Sequence, residues 1–327
     1  MRILAWHVHG GWMDAFVRGG HDYLLPVNAA RDAWGLGRGG RDWPARAIEV
    51  AEDALGDEAV DVIVLQRPQE LDRVTRLLGR RPGRDVPAVY VEHDTPKAEP
   101  VNQRHPLADR DDIPIVHVTH FNRLMWDSGR APTRVIEHGI PDPGHLYSGR
   151  LPRLAVAINE PVRRWRVTGT DLLPGFASSV PLDVFGMGTE GLPERLGMPH
   201  DLVRPAGDLP PAALHREMAA RRAYLHPFRW TSLGLTLLEA MTMGMPVLAL
   251  AATEGTRAVP PDAGVVSADP DELVDAAVRL MADPDAARAM GGAGRAFALA
   301  HYGLDRFLGD WDLLLAEQRE TAAAVAS

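Results

Sequence analysis

The chain has 327 residues, of which 46% are hydrophobic and 24% are charged, and its formal net charge is −9. This composition is typical of a globular protein long enough for two domains. The acidic balance argues against a nucleic-acid partner, because such affinity depends on basic side chains that neutralise phosphates. The absence of cysteine excludes disulfides, thiolate metal sites and a cysteine nucleophile.

Neither a targeting segment nor a membrane span is evident in the sequence. Residues 1–8 are apolar but too short and poorly flanked for a signal peptide. The longest apolar stretch, residues 234–252, contains a glutamate and a proline, which argues against a transmembrane helix. We therefore expect a soluble cytoplasmic protein without integral membrane association.

The first half of the chain reads as alternating strands and helices. Apolar residues at helical spacing between 71 and 78 predict one helix, and His120 opens another. Residues 43–55 are amphipathic and acidic, and the polar stretch 97–112 is expected to form a mobile loop. The predicted strands are 2–6, 23–27, 61–65, 86–91, 113–119 and 133–136.

Two predicted strands of this half end in residues suited to a ligand site, since α/β folds bind ligands beyond the carboxyl ends of their strands. The first strand leads into Gly10 and Gly11, and the fourth ends at His93. A metal site at His7 and His9 is a rival interpretation, because alternate residues of a strand point the same way. No third ligand is evident nearby, so the sequence favours a metal-free site.

The second half repeats the alternation. Strands are predicted at 154–158, 182–187, 223–226 and 247–250, with a helix from Asp171. The loop 159–169 is rich in arginine. Asp269 and Asp283 each precede a proline and acidic residues, which is the pattern of a helix start. A final helix carries an apolar face that we expect to be buried. It consists of Leu304, Phe307, Leu308, Trp311, Leu314 and Leu315.

The stretch 226–250, HPFRWTSLGLTLLEAMTMGMPVLAL, carries the strongest functional signal. With Ser232 as its N-cap, a helix would present the backbone amides of Leu233, Gly234 and Leu235 at its positive end, and a glycine there lets an anion approach. Glu239 lies roughly 7.5 Å further along the axis, about the step from a nucleotide's phosphates to its ribose. The alternative is an ordinary capped core helix with a solvated glutamate.

Within this stretch, SLGLTLLEAMTMGMPVLA resembles the donor-binding signature of the retaining GT-B glycosyltransferases of family 4. The resemblance implies that the glycine-turn amides hold the donor phosphates and that Glu239 binds the ribose. Thr231 stands where the family has its first glutamate, which contacts hydroxyls of the donor sugar.

The resemblance extends, more loosely, over nearly the whole chain. Gly10 and Gly11 match a glycine-rich loop that faces the donor, and Gly207 matches a turn near the nucleobase. As catalytic residues it implies His93, close to the donor sugar, with Arg164 and Arg166 on the diphosphate. Thr168 occupies the position of a family lysine.

We therefore predict an α/β protein of GT-B architecture, with two Rossmann-like domains whose parallel sheets face each other across a cleft. The expected bounds are 1–148 on the acceptor side, 149–302 on the donor side, and a helix at 303–327 that crosses back.

The implied function is metal-independent, retaining transfer of a hexose from a nucleotide-diphosphate sugar to a small or carrier-borne acceptor, with natural-product biosynthesis as the expected context. UDP-, GDP- and dTDP-sugars are all candidate co-substrates, and no further cofactor is expected. A sugar-nucleotide epimerase, a phosphorylase, and a catalytically impaired binding homologue are the alternatives.

Overall fold

The computed structural model describes the backbone of residues 1–326 and the side chains of residues 1–323. The chain forms two compact units. Unit 1 comprises Met1–Pro141 together with the helix that begins at Leu304, and unit 2 comprises Asp142–Gly303.

Unit 1 contains a seven-stranded sheet in the order β3-β2-β1-β4-β5-β6-β7, and every neighbouring pair is parallel. The strands are β1 Arg2–Ala5, β2 Asp22–Val27, β3 Ala47–Ala51, β4 Val62–Leu65, β5 Ala88–Glu92, β6 Ile115–His117 and β7 Thr133–Val135. The first helices are α1 Gly10–Phe16, α2 Glu70–Leu78 and α3 His120–Met125, and a 3₁₀ helix covers Glu52–Asp57.

Unit 2 contains a six-stranded parallel sheet in the order β10-β9-β8-β11-β12-β13. Its strands are β8 Leu151–Ala157, β9 Leu182–Phe185, β10 Val203–Gly207, β11 Arg221–His226, β12 Val247–Leu250 and β13 Gly264–Ser267. The helices that follow along the chain are α4 Pro161–Arg164, α5 Leu173–Ala177, α6 Leu192–Leu196, α7 Pro211–Ala219, α8 Leu235–Met243, α9 Gly255–Ala258, α10 Pro270–Ala282, α11 Pro284–His301 and α12 Leu304–Ala326, with a 3₁₀ helix at Thr170–Leu172.

Both units are thus Rossmann-like, and the predicted α/β fold with two parallel sheets is confirmed. Within residues 1–326, every helix is too short or too polar to span a bilayer.

The apolar face of α12 is buried in the core of unit 1, as its spacing predicts. Phe307 and Trp311 are almost fully buried. The ring centroid of Trp311 lies 5.6 Å from that of Trp12 and 5.2 Å from that of Phe16, both on α1. The core of unit 1 therefore requires residues from both ends of the sequence.

The helix-start predictions have mixed outcomes. Asp269 and Asp283 cap α10 and α11 through their carboxylates, as expected. The Ser232 cap is wrong: α8 begins at Leu235, and its N-cap is Gly234 in an extended conformation. The end of α8 agrees with the prediction, because Gly244 closes it in the left-handed conformation with φ 89°.

Two stretches of unit 1 differ from their predicted form. Gly10 and Gly11 form the first turn of α1 rather than a loop, and His9 is the N-cap of this helix. The connection after β1 is therefore shorter than predicted. Within 97–112, Leu107 and Ala108 are buried in the core, so apolar packing anchors the second half of that stretch.

Candidate functional site

The start of α8 is the centre of the site in unit 2. Gly234 is its N-cap and carries no side chain, so no side-chain bond caps the helix. The N–H of Leu237 donates to the carbonyl oxygen of Gly234 at 3.0 Å. The amides before it lie at the positive end of the helix dipole, which favours an anion. Thr231 is half-buried just before this turn, whereas Ser232 and Leu233 are buried.

Gly234 is also required by packing. A Cβ at this position would lie 2.5 Å from Cε1 of His226, at the end of β11. His226 is buried, its ring stacks on Phe228 with centroids 4.5 Å apart, and burial lowers its pKa to about 3. A neutral, tightly packed imidazole therefore supports the turn that leads into α8.

Glu239 lies one helical turn beyond the start of α8. Its side chain is 24% exposed, and Oε2 lies 3.5 Å from Nε2 of His215 on α7. The carboxylate is therefore accessible and close to the only side chain with which it pairs among the described residues.

A pocket opens at the carboxyl edge of the same sheet. Its walls come from the ends of β8 and β9, the turn after β10, and one residue each of α7 and α8. Gly186 has φ 122°, and a Cβ there would overlap the carbonyl oxygen of Ile158. The lining residues are Ala157, Ile158, Asn159, Phe185, Gly186, Asp208, Leu209, Leu214 and Thr236.

The arginine-rich loop 159–169 packs against the chain just before α8. Gly169 has φ 69°, and a Cβ there would overlap the carbonyl oxygen of Pro227, so the two backbones are in direct contact. The guanidinium of Arg164 lies 5.7 Å from the ring centroid of Phe228. This contact places a cationic loop beside the start of α8.

Asp171 organises the other cations of this region. Its carboxylate binds both terminal nitrogens of Arg229, at 2.6 and 3.0 Å, and Nη1 of Arg166 at 3.1 Å. The side chain of Arg166 is 71% exposed. Arg166 is therefore accessible to a ligand, with part of its charge already paired.

Thr168 forms its hydrogen bonds within its own loop. It is fully buried, and its hydroxyl lies 3.1 Å from the carbonyl of Trp165 and 2.9 Å from the hydroxyl of Thr170. Its role is to hold the loop.

The structure brings the predicted residues of the second half together at one edge of the sheet of unit 2. Gly207 ends β10 with φ 75°, directly before the pocket residue Asp208. Sequence reasoning missed Asn159, two residues after the end of β8, Gly186, directly after β9, and Arg229, three residues after β11. Their positions after strands were the available signal.

The predicted residues of the first half lie in unit 1. Gly10 packs against the guanidinium of Arg41, which pairs with Asp14 of α1. The predicted glycine loop is thus a helix turn covered by an arginine of the same unit.

His93 follows β5 and lines a second pocket of about 330 Å³, which we call the His93 pocket. Its ring centroid lies 4.0 Å from that of His9. Burial, followed by the proximity of His9 and His138, holds the pKa of His93 well below its usual value. The pocket is bounded by residues that include His9, Gln66, Arg67, His93, Asp94 and Trp126.

His7 and His9 do not form a pair. Nδ1 of His7 lies 3.0 Å from the carbonyl oxygen of Gly37, and its ring lies 4.6 Å from that of Trp43, whereas His9 packs on His93. In the described part of the chain, no group of three or more His, Asp or Glu residues is arranged to hold a metal ion.

Comparison with known proteins gives a family match for one part of the chain. Residues 173–283, which include α7 and α8, match the family model described as Glycosyl transferases group 1. No curated protein sequence matches the chain.

Solved structures match over nearly the full length. Sucrose-phosphate synthase from Thermosynechococcus elongatus is 16% identical, covers 100% of both chains and has a TM-score of 0.72. HepE from Anabaena, in complex with UDP-glucose, is 17% identical over 97% of this chain and 100% of its own, with a TM-score of 0.70. A glycosyltransferase from Rickettsia africae ESF-5 is 10% identical over 97% of each chain, with a TM-score of 0.70. The chain therefore has the two-unit GT-B fold of these glycosyltransferases, and its second unit carries the match to glycosyl transferases group 1.

Proposed function

We propose that this protein is a retaining, metal-independent glycosyltransferase that moves a sugar from a nucleotide-diphosphate sugar to a small or carrier-borne acceptor. One observation carries the proposal: the loop 159–169 and the first turn of α8 both line one pocket in unit 2, through Asn159 and Thr236, and Glu239 follows Thr236 by about one helical turn.

Each part of this arrangement matches one part of a nucleotide-diphosphate sugar. The diphosphate fits the α8 amides and Arg164, and the ribose hydroxyls fit Glu239 as hydrogen-bond donors. The nucleobase fits the adjoining pocket, whose walls include Phe185 and Leu209.

The chemical step requires charge stabilisation rather than a protein nucleophile. As the glycosidic bond breaks, the leaving diphosphate gains negative charge. Amides and guanidinium groups that are already in place stabilise that charge without reorganisation. We propose that the leaving phosphate assists removal of the acceptor proton.

The acceptor is proposed to bind in unit 1, in the His93 pocket. Its walls combine apolar surface with polar side chains, among them Gln66, Arg67 and Asp94. A small polyhydroxylated acceptor fits such a lining better than an aliphatic chain does, because buried polar groups need hydrogen-bonding partners.

Two departures favour one second candidate, a binding protein without transferase activity. Thr231 is neutral where a carboxylate is expected, and the Thr168 hydroxyl is committed within its own loop. Nucleotide binding without turnover is the distinguishing behaviour.

The test is a panel of UDP-, GDP- and dTDP-sugars, with donor hydrolysis followed by mass spectrometry and nucleotide binding by thermal shift. UDP-glucose is the first donor to try, given the likeness to HepE. We expect one nucleotide series to raise the melting temperature. We expect one donor to be cleaved equally with and without a chelator. NMR of the transfer product should show that the donor's anomeric configuration is retained. Binding without cleavage supports the second candidate. If no nucleotide binds and no donor is cleaved, both candidate functions are contradicted.

The same panel separates the other enzyme classes. Conversion of one sugar nucleotide into another without an acceptor indicates an epimerase. Release of a sugar 1-phosphate that depends on inorganic phosphate indicates a phosphorylase. Either result overturns the transferase proposal.

A further inference from the structure

Gln66 is a buried residue of the His93 pocket, between the end of β4 and the start of α2. Its backbone N–H donates to Oε2 of Glu70 at 2.7 Å, and its backbone oxygen accepts from the hydroxyl of Tyr90 at 3.4 Å. Its side-chain Nε2 donates to the carbonyl oxygen of Trp6 at 2.7 Å, and its Oε1 lies 3.0 Å from Nε2 of His93. Gln66 is therefore held at both its main chain and its side chain.

These contacts fix the orientation of the Gln66 amide. A backbone carbonyl only accepts hydrogen bonds, so the side-chain atom 2.7 Å from the Trp6 oxygen must be the NH₂ group. The opposite orientation would put two oxygens together without a proton between them. The atom that faces His93 is therefore an oxygen, which has no proton to donate.

The orientation of Gln66 determines the tautomer of His93. Because Oε1 of Gln66 accepts, Nε2 of His93 must carry the ring proton. A neutral imidazole has only one N–H, so Nδ1 keeps its lone pair. Burial keeps the ring neutral at physiological pH, as the lowered pKa of His93 indicates.

We infer that Gln66 is a positioning residue that holds His93 as the Nε2–H tautomer, so that Nδ1 serves the His93 pocket as a hydrogen-bond acceptor. A ligand group at Nδ1 must then carry a proton, as a hydroxyl or amino group does. A carboxylate or a carbonyl would meet a lone pair and be disfavoured. This inference rests on the proposed function only in taking that ligand to be a substrate.

The surroundings of His93 contain several groups that influence its charge. His9 stacks on it, His138 approaches from the segment after β7, and Trp12 of α1 meets it edge-on at 5.2 Å. Glu70 is linked to His93 through Gln66, whose backbone N–H donates to the Glu70 carboxylate. Arg67, Glu92 and Asp94 line the same pocket.

The first experiment needs no ligand and no activity. Long-range ¹H–¹⁵N NMR of the ¹⁵N-histidine-labelled full chain at neutral pH reports which ring nitrogen carries the proton, and His93→Asn assigns the signal by its loss. We expect a pyrrole-like Nε2 and a pyridine-like Nδ1. The opposite tautomer, or an equal mixture, overturns the inference even if no variant of Gln66 folds.

Two substitutions of Gln66 test its role. Gln66→Leu removes the acceptor, and we expect the His93 signals to shift towards a mixture of tautomers. Gln66→Glu still accepts from Nε2, but it also puts an oxygen where the NH₂ group faced the Trp6 carbonyl oxygen, so circular dichroism must first show that the fold is intact. Its ionised carboxylate places a negative charge beside the ring, which raises the pKa of His93. Unchanged His93 signals in Gln66→Leu, with the fold intact by circular dichroism, contradict the positioning role.

Kinetics provide a readout that a purely structural role would not change. If a donor from the panel is cleaved, the rate should fall on the acid side as His93 becomes protonated, and Gln66→Glu should move that fall towards neutral pH. Gln66→Leu should lower kcat about fivefold, the effect of one lost neutral hydrogen bond. An unmoved acid limb in Gln66→Glu argues against His93 as an acceptor. Absence of cleavage of every donor affects the proposed function and leaves the tautomer measurement valid.

Discussion

At the scale of single residues, Glu239 is the side chain on which the proposed donor site can be tested most directly. Most of α8 is buried and apolar, yet this carboxylate stays accessible one turn beyond the open amides. Glu239 shares the less buried face of α8 with Leu235 and Thr236. The proposed function assigns this face to a ligand that presents hydroxyl groups to the carboxylate.

Glu239→Ala should weaken nucleotide binding about 10- to 100-fold without unfolding the protein. The reason is the loss of hydrogen bonds to a charged acceptor, each of which contributes about 1.5–3 kcal/mol. Isothermal titration with the nucleotide found in the thermal-shift panel measures the change. Asp275→Ala, an exposed acid on α10, is the control and should bind normally. Equal affinity of Glu239→Ala and the wild type would remove the ribose role.

The sequence singled out Gly234 and Glu239 as candidate site residues but did not predict how the turn is built. The prediction of Ser232 as the cap followed residue preference alone. The structure shows that the buried ring of His226 lies against Gly234, which fixes the extended backbone before α8. A contact between a strand end and a turn eight residues later leaves no local pattern. Gln66 was overlooked for the same reason, since its partners lie 60 and 27 residues away.

At the scale of elements, glycines set the close contacts that position the site. Gly169 joins the cationic loop to the chain before α8, and Gly291 of α11 lies against the backbone of Gly244 at the end of α8. In both cases the neighbouring atom is a backbone oxygen, which cannot move aside as a flexible side chain can.

Gly169→Ala should destabilise unit 2 by about 2 kcal/mol or more, because it adds both a left-handed strain and a backbone overlap. We expect a lower melting temperature and weaker nucleotide binding, since the cationic loop is displaced. Gly175→Ala, where a Cβ meets open space, is the matched control. Normal stability of Gly169→Ala would show that the loop is not held by this contact.

Adjacent glycines on α11 offer a paired test of helix packing. Gly291→Ala should destabilise by about 1–3 kcal/mol through overlap with the end of α8. Gly292 is exposed with nothing near its missing Cβ, so Gly292→Ala should stabilise by about 0.5–1 kcal/mol through helix propensity. Chemical denaturation of both variants measures the change in the free energy of unfolding, which should have opposite signs. The same sign for both would contradict the close approach of α11 to the end of α8.

The strands absent from the sequence prediction, β3, β10 and β13, are also explained at this scale. Each is an edge strand of four or five residues and carries exposed or half-buried positions. Central strands such as β4 and β12 are continuously buried, so their apolar runs are recognisable. Edge strands depend on pairing with a neighbour that sequence alone does not identify.

At the scale of the whole molecule, buried histidines are unevenly divided between the units. Burial lowers the pKa of His117 and His138 in unit 1, and of His226 in unit 2, to about 3, and His93 of unit 1 is lowered in the same direction. The core of unit 1 therefore contains more groups whose protonation favours the unfolded state.

Unit 1 should lose stability first on acidification. Each such histidine has a folded-state pKa below its unfolded value, so between about pH 6.5 and 3 the unfolded chain takes up the proton. Stability then falls as pH decreases, by about 1.4 kcal/mol per pH unit for each group. Hydrogen exchange followed by mass spectrometry, corrected for intrinsic rates, should show earlier opening of peptides from unit 1. His138→Asn should reduce the loss of stability of unit 1 per pH unit by the contribution of one histidine. Opening of unit 2 before unit 1 would contradict the prediction.

Because α12 supplies Phe307 and Trp311 to the core around Trp12, unit 1 is discontinuous in sequence while unit 2 is a single uninterrupted segment. During synthesis, every residue of unit 2 leaves the ribosome before the first turn of α12 does. The nascent chain must therefore keep the β1–β7 sheet in an unfinished state, with aromatic side chains uncovered, while the later segment folds. Chaperone dependence of biogenesis should accordingly be governed by the N-terminal region, although it is translated first.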